Sequence, residues 1–420
     1  MSPLLGPILA QLVTLSLSDR TEGRYIASDD KYFEAATLPR AGLNFGWKHT
    51  TLTLGYGPSL TVTPLDPKDA QLVVFHNAIV AASYRWRRTT VGVSQYLGFG
   101  EVNFQTLALA DPRAGTTNVP ADKPGTGNGA TTPPANGGTA GTPGSTPGGT
   151  TIPGATQIKA TNRIVTYATS STTLNVGQVL TPVLRLYGEV GYLITGSVGK
   201  NATADFPVVK GPRALATVYY SVTPRDDAVS TASWQYAGSS TGVDSWIALA
   251  SEGWAHAFDP HTNGRVSGGV SMTRTSQPDG LIAYSIYPTF NSSINHTTPL
   301  DRGMLSYGFS AGAAPVLDPV RALVDPRVNL LGLVGWGRNR FSTNLALGSL
   351  LTLDKQNTAG ALSTATGSLT VGYRLADGLS ADCGTRAAWQ RFEGQTTIPL
   401  SWAAFVGLTY GVTLPLTGGT

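Results

Sequence analysis

The chain has a single cysteine, Cys383, so an internal disulfide framework and a multi-cysteine zinc site are both excluded. Charge is scarce as well: only 13% of the 420 residues are Asp, Glu, Lys or Arg, about half the usual quarter for soluble domains. Lys and Arg are scattered and the net charge is only +4, which gives nucleic-acid binding no support. No run reaches the 18 apolar residues of a membrane helix. Helical periodicity is nearly missing too, which leaves strands as the building element.

What the chain has instead is glycine, 50 residues of it, and period-two alternation. In Thr50 to Thr63, Leu52, Leu54, Tyr56, Leu60 and Val62 fall on one face, and Thr51, Thr53, Gly55, Gly57, Ser59 and Thr61 on the other. The segment from Trp402 to Leu414 repeats the pattern with Val406, Leu408, Tyr410 and Val412, over a length unusual for a globular sheet. Strands are expected near 11–25, 40–49, 51–63, 71–86, 88–105, 160–174, 181–197, 211–222, 229–238, 244–257, 264–274, 280–292, 303–314, 327–338, 341–353, 361–375, 379–391 and 396–414. Sixteen remain if 229–238 and 280–292 are not strands.

The connections between these strands alternate in length. Those at 48–50, 87–89, 175–177, 338–340 and 376–378 are short, whereas 26–39, 64–70, 106–159, 198–210 and 315–326 are long. Connections at 223–228 and 293–302 are longer than this rule prefers. Short turns on one end and long loops on the other are what a transmembrane barrel shows. The expected fold is therefore all-β, a transmembrane antiparallel β-barrel of about 18 strands over residues 11–414, with 415–420 as a tail.

The longest connection contains Ala121 to Ala155, where 24 of 35 residues are Gly, Pro or Thr. Such a composition buries too little apolar surface to offset the entropy of ordering it. The five strands before it are too few to close a barrel, so 106–159 reads as a disordered extracellular loop, not a linker between domains. Residues 1–10 read as the remnant of a signal peptide, with the mature chain starting near Gln11.

On these alternating segments, aromatic strand ends and unequal loops, the chain resembles Gram-negative outer-membrane β-barrels of the porin kind. The phrases SYRWRRTTVGVSQYLGFGEVNF and WKHTTLTLGYGPSL also resemble the barrel component of myxobacterial polysaccharide-export pathways. That resemblance implies a channel or export conduit for hydrophilic solutes in the bacterial outer membrane, with secretion of a polysaccharide as the specific case. Outer-membrane lipid, polysaccharide and periplasmic export components are then the expected partners. The ending LPLTGGT departs from the aromatic last residue that such barrels often carry.

If the apolar face meets lipid, Arg20, Glu22, Arg24, Lys48, Arg85, Arg87, Arg185, Glu189, Arg374, Asp382 and Arg386 point into the lumen. Eight basic groups against three acidic ones read either as a pore favouring anions or as paired networks that stiffen the interior. Tyr25, Trp47, Tyr56, Trp86, Tyr373, Trp389, Trp402 and Tyr410 lie mostly on the apolar face, as interfacial girdles do, while Tyr96 and Tyr187 are the candidates for stacking on a sugar inside. Cys383 falls on the outer face as a small hydrophobe.

Motifs of catalysis are weak. GFSAG around Ser310 matches a nucleophile elbow, but it continues an alternating run instead of opening a helix. His256, Asp259 and His261 have a spacing that could hold a metal, and Asp-Pro followed by Asn263-Gly264 is equally what a hairpin turn requires. The turn is preferred, and no enzyme activity, cofactor or metal is expected. A non-conducting structural or surface-display barrel with partner-binding loops is the alternative function, and a hydrolase using Ser310 a distant third.

Overall fold

The computed structural model describes residues 12–27, 31–63, 70–103, 164–198, 207–301, 303–317, 322–353, 361–392 and 400–416. Residues 1–10, the loop at 106–159 and the last four residues of the tail lie outside them. Among the described residues there is no helix.

Twenty strand segments form one antiparallel sheet. They are β1 Leu12–Ala27, β2 Lys31–Thr37, β3 Arg40–Gly46, β4 Thr50–Tyr56, β5 Ser59–Thr63, β6 Gln71–Trp86 and β7 Thr89–Asn103. After the long loop come β8 Ile164–Val179, β9 Leu184–Ser197, β10 Val209–Thr223, β11 Asp226–Ser239, β12 Asp244–Ala257 and β13 Thr262–Ser276. The last seven are β14 Ile282–Leu300, β15 Gly303–Leu317, β16 Val324–Arg338, β17 Phe341–Thr352, β18 Ala361–Ala376, β19 Leu379–Phe392 and β20 Leu400–Pro415.

Two staves of the barrel are each cut in half. β2 and β3 both pair with β1, one above the other, and β5 and β4 pair in the same way with β6. The cuts fall at Leu38-Pro39 and Gly57-Pro58, where proline offers no N–H to the ladder. On their far sides the cut staves stay bonded, Leu38 N to Arg20 O and Gly57 N to Asn77 O, both at 2.9 Å. Counting each pair of halves once gives 18 staves, and β1 pairs with β20 from Thr14↔Pro415 to Ala27↔Trp402, which closes the ring. Closure removes every sheet edge, the condition for a sheet to stand in lipid.

Four expected boundaries are corrected. The turn expected at 175–177 lies inside β8, which runs to Val179, and the connection to β9 falls at 180–183. The stretch 26–39, read as a long loop, carries β2, whose alternation was masked because Glu34 and Pro39 look like loop residues. The stretch 293–302 continues β14 to Leu300, and the connection at 223–228 narrows to Pro224-Arg225 between β10 and β11. Both segments that a count of 16 would discard are strands, β11 and β14. β7 pairs directly with β8 from Thr89↔Gln178 to Asn103↔Ile164, so the long loop joins neighbouring staves of one barrel.

Outward positions carry the apolar side chains: on β7, Val91, Val93, Leu97 and Phe99 are all more than a third exposed. Trp86, Tyr84 and Tyr373 stand exposed near the short-turn end. Towards the other end, Tyr25 packs on Phe33 and on Trp402, ring centroids 4.9 and 5.5 Å away. An apolar band between aromatic girdles is the outside of a membrane barrel.

Candidate functional site: the lumen

The inner face of β1 carries Arg20, Glu22 and Arg24 in successive inward positions, all buried. Glu22 accepts from Arg20 Nε at 2.9 Å and Arg24 Nε at 2.5 Å, and Arg386 lies 3.8 Å away. Arg20 reaches across β20 to Asp382 at 2.6 Å, and Arg24 reaches Glu34 at 2.8 Å. Phe405 lies beneath the guanidinium groups of Arg20 and Arg386, 5.8 and 4.5 Å from its ring centroid. Three arginines therefore meet three carboxylates, and the basic excess expected from the sequence is cancelled here. The cluster straddles the junction of the first and last strands, so it braces the closure of the barrel.

The wall from β8 to β13 is more open. Arg213 is exposed to the lumen, pairing with Glu189 at 3.0 Å and donating to Thr173 at 3.3 Å. Tyr187 donates to Glu189 at 3.0 Å. Lower down, Asp227 accepts from Arg185 at 3.3 Å and from Ser221 at 2.6 Å, and Arg185 lies over the Tyr219 ring. Arg185 and Arg265 each keep a buried Nε without a partner. Tyr96 also faces inward and donates to Asn77 at 2.5 Å. Tyr96 and Tyr187 thus both stand on the lumen side, as their alternation implies.

The rim separates from the wall. Arg87 is corrected: it sits in the β6–β7 turn with φ 45°, and its guanidinium lies over the outward ring of Trp86, not in the lumen. Lys48 is likewise in a turn, between β3 and β4, and not on the wall. Arg374 is largely exposed at the end of β18 and pairs with Asp377 of the turn at 2.7 Å. Arg85 holds an inward position one residue before Trp86, close to the same rim.

Ser310 lies within β15, registered with Ser293 on one side and Leu331 on the other, in a continuous strand that lacks the turn and helix of an elbow. Asp259 caps its own turn, accepting from His261 N at 2.6 Å and from the Thr262 hydroxyl at 2.7 Å. The Thr262 hydroxyl, ahead of the backbone donors, holds its carboxyl below the usual carboxylate range. His256 lies within β12 and bonds to Asp226 of β11 at 2.6 Å, while Asp259 and His261 belong to the β12–β13 turn.

Sequence reasoning missed Glu34, Arg213, Asp227, Arg265, Asp325 and Arg327. Glu34 lay in the misread loop. Arg265 was open to detection, since it alternates with the outward Val266, Val270 and Met272. Arg213 shares its inner face with Leu215 and Tyr219, so the inside of β10 looks no more polar than the outside.

A family model described as the EpsX exopolysaccharide export family matches residues 25–414. Among solved structures, OccK11 (OpdR) of Pseudomonas aeruginosa is 12% identical, with 96% of each chain covered and a TM-score of 0.46. OccAB4 of Acinetobacter baumannii is 8% identical over 98% of this chain and 100% of its own, with a TM-score of 0.44. OpdO of Pseudomonas aeruginosa is 12% identical over 97% of this chain and 98% of its own, with a TM-score of 0.45. No curated protein matches the chain.

Proposed function

The chain belongs to the EpsX exopolysaccharide export family, and from that premise we propose that its barrel stands in the bacterial outer membrane and passes a polysaccharide outward through the lumen. The observation that carries this reading is the closed ring of 18 staves, apolar outside and hydrogen-bonding inside. A ring of 16 to 18 strands is wide enough to leave an aqueous channel. Arg213, Glu189, Tyr187, Thr173 and Tyr96 give one wall the mixture of charge, hydroxyl and aromatic face that sugars use for hydrogen bonding and stacking. Catalysis has no part in this reading. The short turns would face the periplasm and whatever export components deliver the chain there.

The non-conducting alternative draws support from the buried charge cluster, whose paired side chains line one side of the lumen. Removal of the gene separates the two. A conduit predicts polysaccharide trapped inside the cell and absent from the surface, restored by the full chain. Normal surface polysaccharide in the deletion strain would refute the export role.

A further inference from the structure

The upper ends of β15 and β16 leave the wall. There Leu317 and Ala322 share an apolar cluster with Val209, Ala237 and Ile247, which belong to the inner faces of β10, β11 and β12. β12 and β15 stand three staves apart, roughly 14 Å along the wall, yet β15 and β16 touch β12 and β13. The described ends of β15 and β16 therefore lean inward over the mouth of the lumen.

Their root is built to bend. Pro315 of β15 is registered with Pro326 of β16, and Pro326 O accepts from Leu353 N at 2.8 Å, so the two prolines point their backbones away from each other and the N–H groups they lack are those that would tie this end to β14 and β17. One residue on, Arg327 is 2% exposed. Its Nη2 donates to Asp325 at 2.5 Å, while its Nε and Nη1 are buried without a partner. A buried charged donor without an acceptor carries an uncompensated desolvation penalty, so the inward position of these ends is disfavoured at this residue. Both forks of a guanidinium, Nε/Nη2 and Nη1/Nη2, include the Nη2 already held by Asp325, so the buried Nε and Nη1 each offer a directed, charge-assisted hydrogen bond to an oxyanion.

We propose that the upper ends of β15 and β16, residues 314–317 and 322–326, form a hinged gate over the lumen, and that Arg327 is the subsite at which an oxyanion borne by a saccharide, a uronate carboxylate above all, opens it. The proposal rests on the conduit reading. The passing acidic sugar supplies the acceptors that the closed position withholds, so the gate opens for its own cargo.

The test uses the full chain with Cys383→Ser, Leu317→Cys and Ala237→Cys in planar bilayers, oxidised and then reduced. Reduction should raise the open fraction, and galacturonate oligomers should raise it further, on the order of tenfold for one buried donor satisfied. Neutral glucose oligomers of equal length and free acetate should leave it unchanged. Oxidised protein should stay closed to all three. Arg327→Gln should lose the galacturonate response, and Arg327→Lys, which keeps the charge but not the directed Nε and Nη1 donors, should weaken it, provided both migrate as folded barrels on unheated gels. Equal, steady current in oxidised and reduced protein overturns the gate and leaves the conduit standing. A galacturonate response retained in Arg327→Gln, or an equal response to acetate, overturns the subsite. No current in any state removes the conduit and the gate together.

Discussion

Glu22 is 1% exposed and is shared by Arg20, Arg24 and Arg386, so its neutralisation leaves buried guanidinium groups short of an acceptor. Removing one member of a buried ion pair costs about 3–5 kcal/mol, because the remaining charge is left uncompensated. Glu22→Gln should therefore lower the barrel's unfolding free energy in urea by about that amount. Arg374→Gln, whose partner Asp377 is exposed, should move the unfolding curve little. Equal effects from the two substitutions would contradict the distinction between brace and rim. At this scale the sequence was legible only in part. Alternation placed Arg20, Glu22, Arg24, Asp382 and Arg386 on the inner face, but which charges neutralise one another depends on neighbours up to 362 residues apart, such as Arg20 and Asp382.

At the scale of elements, the hairpins at the short-turn end are set by turn chemistry. The β18–β19 turn is Asp377-Gly378, with Gly378 at φ 76°, a conformation that L side chains rarely adopt. A Cβ there would also sit 2.2 Å from the Gly411 carbonyl oxygen of β20. Gly378→Ala should cost more than about 1 kcal/mol of stability in the same urea assay. Asp377→Asn, which suits the same turn, should be nearly neutral. A neutral Gly378→Ala would show that the turn is looser than drawn. Staves of this kind were readable because lipid outside and lumen inside impose strict alternation. What hid β2 was local: Pro39 breaks its stave in the middle, and Glu34 is an inward charge that resembles a loop residue.

For the whole molecule, loop parity and strand count were enough to read a barrel, because short turns at one end follow from neighbouring antiparallel strands. The inward lean of the upper ends of β15 and β16 was not readable, since Leu317 and Ala322 find their partners across the lumen, not along the chain. The same distance hides the closing of the ring between β1 and β20. The central claim is that this ring encloses a path for a hydrophilic chain. Planar-bilayer recording of the full protein tests it most directly. The account predicts discrete current steps that lengthen or grow in number with galacturonate oligomers. Silence at every voltage, from protein shown to be a folded barrel and from the reduced double-cysteine form alike, would contradict it.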